Sequence, residues 1–138
     1  MASRDAEIWV AVRDYFNDYP DIPSDVVYPG DTFDDVDPLT PYIILDDLRY
    51  DPQRVYWQGA NWRTGSLMIM VMVPLQWTYT QRIEYAGKIT DYFAEDSVMQ
   101  FGDVTLRVAQ QPTLSQAGYR DGSHYRLPLR VDWEGFVG

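Results

Sequence analysis

Residues 67–73 read LMIMVMV, inside the stretch WRTGSLMIMVMVPL that runs from Trp62 to Leu75. Side chains alternate across a strand, so Leu67, Ile69, Val71 and Val73 fall on one face and Met68, Met70 and Met72 on the other. A strand with one wet face would alternate apolar with polar residues. This one is apolar on both sides, so both faces need cover. Helices can cover one of them. The methionine face needs a further layer, from elsewhere in the chain or from a neighbouring subunit.

The surrounding sequence supplies the helices. SRDAEIWVAVRDYFNDY carries Ile8, Trp9, Val12, Tyr15, Phe16 and Tyr19 at helical spacing, with Ser3 or Asp5 placed to cap its start and Pro20 to stop it. Tyr79, Ile83, Ala86, Ile89, Phe93 and Ala94 predict a second helix from about Thr78 to Ala94. Residues 20–41 hold Pro20, Pro23, Pro29, Gly30, Pro38 and Pro41 and read as a surface connector, with Val26–Tyr28 its only plausible strand.

PYIILDDL reads as a strand, and RVYWQGANW as another that turns into the long one at Gly59, Ala60 and Asn61. VMQFGDVTLRV predicts a hairpin on its Gly-Asp turn, with Val104, Leu106 and Val108 pointing one way. After an Asp121-Gly122 turn signal, the closing segment alternates strictly. Tyr125, Leu127, Leu129, Val131 and Trp133 share one face, and His124, Arg126, Pro128, Arg130 and Asp132 the other. Pro128 has no ladder donor, which suggests an edge position or a bulge. The expected class is α+β: one domain over residues 1–138, with a mainly antiparallel sheet, two helices packed on one face, and a β-hairpin.

At 138 residues, 46% hydrophobic and 15% aromatic, the chain has enough apolar content to pack one core. Its 21 acidic and 11 basic side chains leave a net charge of −10, which repels phosphate and argues against affinity for nucleic acid. The same charge suits a surface that nucleic acid slides past without sticking. The absence of cysteine excludes disulfides, zinc fingers, iron–sulfur clusters and thiol nucleophiles. The longest apolar run is far short of the roughly 20 residues that span a bilayer. The N-terminus lacks the basic-then-apolar order of a secretory signal, so a soluble protein made and kept in the cytoplasm is expected.

Chemistry finds little purchase. His124 lies on the polar face beside a turn, with no serine elbow and no cysteine to serve. It therefore reads as a surface or interface residue. Asp31, Asp34, Asp35 and Asp37 could offer oxygen ligands to a hard cation, but their spacing does not match a calcium loop, and a solvated charge run is the preferred reading. WQGANW lacks the lysine and following helix of a phosphate loop, and the adjacent Asp46 and Asp47 are expected by chance in so acidic a chain. No catalytic residue, metal ligand or cofactor is assigned. Trp9 and Trp133 read as core, whereas Trp57 and Trp62, bracketing a hairpin tip, are candidates for a partner surface.

Taken in order, these pieces resemble the tail terminator (tail completion) family of long-tailed bacteriophages. The match runs through the N-terminal helix, the acidic proline-rich crossing into PYIILDDL, and WRTGSLMIMVMVPL, where Arg63, Thr64 and Gly65 introduce the long strand. It continues through the helix ending in ITDYF, the hairpin FGDVTLRVAQQP, and the block GYRDGSHYRLPLRVDW. The resemblance implies an α+β structural protein of the virion, without cofactor or catalytic residue. Such a protein acts as a ring, usually a hexamer, that caps the finished tail tube, stops its polymerisation and presents the surface joining the head-side connector. It sits at the head-proximal end of the tail, is assembled in the host cytoplasm, and lets DNA pass through its lumen.

A ring needs two different self-contacts per subunit. Met68, Met70, Met72, His124, Arg126 and Arg130 are the candidate oligomer contacts, and Trp57, Trp62 and Arg63 the candidate contacts to tube or connector. The alternative readings are a head-tail connector or other ring component of the phage neck and, more distantly, a small metal-dependent hydrolase.

Overall fold

The computed structural model describes residues 3–20, 26–31, 38–49, 53–54, 61–112 and 118–137. The element order is α1 (Arg4–Asn17), β1 (Val26–Val27), β2 (Tyr42–Arg49), β3 (Gln53–Arg54), β4 (Asn61–Pro74), α2 (Tyr79–Tyr92), β5 (Val98–Phe101), β6 (Val104–Val108), β7 (Tyr119–Asp121) and β8 (His124–Val137). Side chains cap both helices, α1 as expected from its sequence. The Ser3 side chain accepts from the Ala6 amide at 3.2 Å, while Asp5 and Glu7 lie at the positive end of the α1 dipole. At α2, Thr78 and Gln81 form a reciprocal capping box, with bonds of 2.9 and 3.3 Å.

All the described strands join one sheet, in the order β1-β2-β4-β8-β6-β5, with β3 on the start of β4 and β7 on the start of β8. Only β1–β2 is parallel; the other pairings are antiparallel. β4 and β8 are the spine, paired along their whole length from Asn61↔Val137 to Pro74↔His124. β2 flanks β4 on the other side, from Tyr42↔Met72 to Arg49↔Gly65. The class is the expected α+β.

One face of this sheet is the core. Leu67, Ile69, Val71 and Val73 of β4 are at most 1% exposed and cluster with Ile43 and Leu45 of β2, Val104, Leu106 and Val108 of β6, and Leu127, Leu129, Val131 and Trp133 of β8. Both helices lie on that face. Ile8, Ala11, Val12 and Phe16 come from α1, and Ala86 and Ile89 from α2, with Phe93 just beyond it. The helices meet through a reciprocal clasp: the Tyr15 hydroxyl donates to the Tyr92 carbonyl at 2.8 Å, and the Tyr92 hydroxyl to the Tyr15 carbonyl at 2.5 Å. Tyr79, expected on the apolar stripe of α2, is 69% exposed at its first turn. Trp9 is only half-buried, packed edge-on to Tyr28 at 6.5 Å.

Two details of sequence have a clear cause. A Cβ on Gly65 would collide with the Trp133 ring and the Leu48 carbonyl, so only glycine lets that buried indole lie flat across β4. Gly102 takes φ of +59°, as the tight β5–β6 hairpin requires. Pro128 is not on an edge strand, since β8 is interior. It lies between Arg126, where pairing with β7 ends, and Trp133, where pairing with β6 begins. The Asp132 carbonyl accepts from the Ala109 amide on the side away from β4. By the period of two, the missing Pro128 N–H falls on that same side, where no ladder bond is lost.

Candidate interaction surfaces

Among the described residues no helix lies on the second face of the sheet. Cross-strand register sets its side chains in rows over β2, β4 and β8: Tyr42–Met72–Arg126, Ile44–Met70–Pro128, Asp46–Met68–Arg130 and Leu48–Ser66–Asp132. Five of the six candidate oligomer contacts lie in the first three of these rows, and His124 lies one step beyond them on the same face. They do not share one environment. Ile44, Met68, Met70 and Pro128 are partly exposed and stand outside the core cluster. Leu48 is 40% exposed. Met72, by contrast, is 1% exposed.

His124 corrects the expectation of an outward-facing residue: it is 1% exposed. Nε2 lies 2.8 Å from the Thr40 carbonyl and Nδ1 2.8 Å from the Ser123 hydroxyl, and the ring stands edge-on to Tyr42 at 4.9 Å. A carbonyl only accepts, so Nε2 carries a proton; in the neutral ring Nδ1 then accepts from Ser123. The histidine thus ties the end of the proline-rich connector to the β7–β8 turn. Burial, followed by the Asp121 carboxylate, raises the Tyr42 phenol above its usual pKa, with Arg126 opposing.

Arg126 is half-buried rather than free, paired with Asp121 at 3.2 Å and set over the Tyr119 ring at 5.9 Å. Arg130 is the most open of the six, its side chain 56% exposed and its Nε 3.1 Å from Asp132. Asp132 is a hub that the sequence did not announce. It also accepts from the Ser66 hydroxyl at 2.6 Å and the Gln110 amide at 3.1 Å. Asp46 and Asp47 form no dyad, because strand alternation sends them to opposite faces. Asp47 pairs with Arg49 at 2.9 Å, and Asp46 faces outward on the second face.

At the far end of the sheet the candidate tube or connector contacts separate. Trp57 lies outside the described residues. Arg63 points to the helix face, where it pairs with Asp5 of α1 at 2.9 Å. Trp62 lines an apolar groove of about 440 Å3 with Val98, Thr105, Leu106, Arg107, Glu134 and Gly135. Val98 is 54% exposed there, and Arg107 and Glu134 are ion-paired at its margin. The groove spans β4, β8, β6 and β5, which lie side by side in the sheet, a long-range meeting that local patterning does not reveal. Asp34, Asp35 and Asp37 of the acidic run lie outside the described residues. Among the described residues no three His, Cys, Asp or Glu side chains converge as a metal site, and no helix is long and apolar enough to cross a membrane.

These surfaces belong to a sheet and two helices that offer contact area and no converging catalytic set among the described residues. Residues 7–133 match the phage tail terminator protein family. The chain belongs to that family. Nine solved chains also match. One of them aligns over 100% of this chain and 99% of its own, with a TM-score of 0.74 and 16% identity. At that identity the likeness speaks for the fold alone. No curated protein matches the sequence. As a tail terminator family member, the protein has a structural role in the phage tail and is a component of the virion. The family points to a non-enzymatic protein that works against other tail components.

Proposed function

We propose that the protein forms a ring, hexameric in its finished state, that caps the head-proximal end of the tail tube, ends tube polymerisation and presents the joining surface for the head-side connector. The family match across residues 7–133 carries this reading. The partly exposed Met68 and Met70, with Arg126 and Arg130, supply self-contact. The opposite end of the sheet, where Trp62 and Val98 border an open apolar groove, is a separate surface suited to the tube or connector. A ring subunit in a stack needs a self-contact and, apart from it, a surface for its neighbour in the stack. The net charge of −10 supports passage of DNA through the lumen without adhesion.

Deleting the gene and measuring tail tubes by electron microscopy tests the proposal. Overlong tubes are expected. Tubes of normal length that fail to take heads would assign the protein to the connector instead.

A further inference from the structure

We propose that the methionine face is self-complementary and holds two copies of this chain face to face about a twofold axis parallel to β4. The inference rests on the reading that this face makes self-contacts, and not on tube capping.

The argument comes from the cross-strand rows. β4 lies between β2 and β8, so a twofold along β4 exchanges β2 with β8 and leaves each row facing itself. In the row Asp46–Met68–Arg130, Asp46 then meets the partner's Arg130, Arg130 meets the partner's Asp46, and the Met68 side chains meet each other. In the row Ile44–Met70–Pro128, Ile44 packs on the partner's Pro128, and Met70 on its own copy. In the row Tyr42–Met72–Arg126, the guanidinium faces a tyrosine ring, an arrangement that attracts a cation. No like charges oppose one another in these rows. The alternative twofold, across the strands, would set Arg126 against the partner's Arg130 and leave Asp46 against Tyr42. Charge therefore selects the axis along β4.

The choice of this face also follows from net charge. Two chains of −10 repel, so contact favours a patch that is locally not acidic. In these three rows Asp46 stands with Arg126 and Arg130, and the Asp121 and Asp132 carboxylates beside them are already ion-paired to those arginines, so the patch is close to neutral. The methionines at the centre adapt their shape to one another, which suits a contact between two copies of the same surface. Stacked sheets cross at about 30°, so the rows nearest Met68 and Met70 keep their register and the outer ones drift. A patch of three strands and three rows is small beside the roughly 800 Å2 per partner of a standard interface, so the dimer is weak and reversible. An isologous contact closes at two copies. The dimer is then the form of the free protein, and it shields the methionine face until that face is given over to the contacts of the ring.

Sedimentation equilibrium of the full chain over a concentration series reads the prediction directly. A monomer–dimer equilibrium is expected. Asp46→Arg and Arg130→Asp should each weaken it about tenfold or more, because each change turns two attractive pairs into repulsive ones. The double variant Asp46→Arg/Arg130→Asp should recover dimerisation. The chain has no cysteine, so Met70→Cys with a short bifunctional maleimide should give cross-linked dimers and no higher species. A monomer at every concentration, a double variant that stays monomeric, or larger closed assemblies in place of dimers would each overturn the proposal. Neither readout involves a tail tube, so dimers that fail to terminate tubes would count against the capping role alone.

Discussion

Ile69 and Met70 are neighbours on β4, yet Ile69 is fully buried beneath the helices while Met70 stays partly exposed between Ile44 and Pro128. Both residues are apolar, and both favour the same strand. Their fates differ because two amphipathic helices satisfy only one face of a sheet. What distinguishes the faces chemically is branching and shape. The helix side of β4 uses Leu, Ile and Val, whose few rotamers specify a fixed packing, whereas the open side uses unbranched methionine, which conforms to whatever meets it.

The largest effect should come from putting a charge on the covered face. Ile69→Asp buries a carboxylate beneath the helices without a partner and should cost ~4 kcal/mol or more, enough to leave the chain unfolded by circular dichroism. Gly65→Ala, on the same face, drives a methyl into the Trp133 ring and should cost about 1–3 kcal/mol, read as a lowered denaturation midpoint with unchanged slope.

His124 sharpens the contrast, because it belongs to the open face and yet behaves as core. His124→Ala removes the bond to the Thr40 carbonyl and the edge contact to Tyr42, and should cost about 1–2 kcal/mol. Limited proteolysis of this variant should cut sooner around residues 38–41, because the ring no longer holds them to the sheet. The smallest effect should be on alkaline stability. Burial first, with Tyr15 and Asp18 adding, pushes the Tyr92 phenol up to about 12 from the usual 10.0. The folded state thus keeps a proton that the unfolded chain gives up, and that stabilisation, full below about pH 10, is lost as pH rises through about 12. Stability of the wild type should fall with pH across that window, and the fall should be shallower in Tyr92→Phe.

The pattern that decides the fold was plain in the sequence because it is local. The doubly apolar run of β4, the period-two alternation of β8, the Ser3 cap and the Gly-Asp hairpin turn each depend on residues within a few positions. What escaped was set by partners far along the chain. His124 reads as a polar-face residue by alternation, and it is; its burial depends on Thr40, 84 positions away. Asp132 reads as one more surface acid, yet Ser66 and Gln110 turn it into a hub. Pro128 signals an unpaired stretch correctly, but a gap between β7 and β6 on an interior strand meets that condition as well as an edge does. The helix-free face was legible as an excess of apolar residues on β4, and the order of charged residues beside it was not, because register is a property of three strands together.

The central claim is that the two faces of β4 serve different ends, one folding and the other association. Met70→Asp tests it most directly, with thermal unfolding and sedimentation measured on the same sample. The account predicts a folded chain whose stability lies within about 1 kcal/mol of wild type, as for a strand position outside the core, and which no longer self-associates. A chain that unfolds as Ile69→Asp does would show that Met70 is ordinary core and contradict the claim.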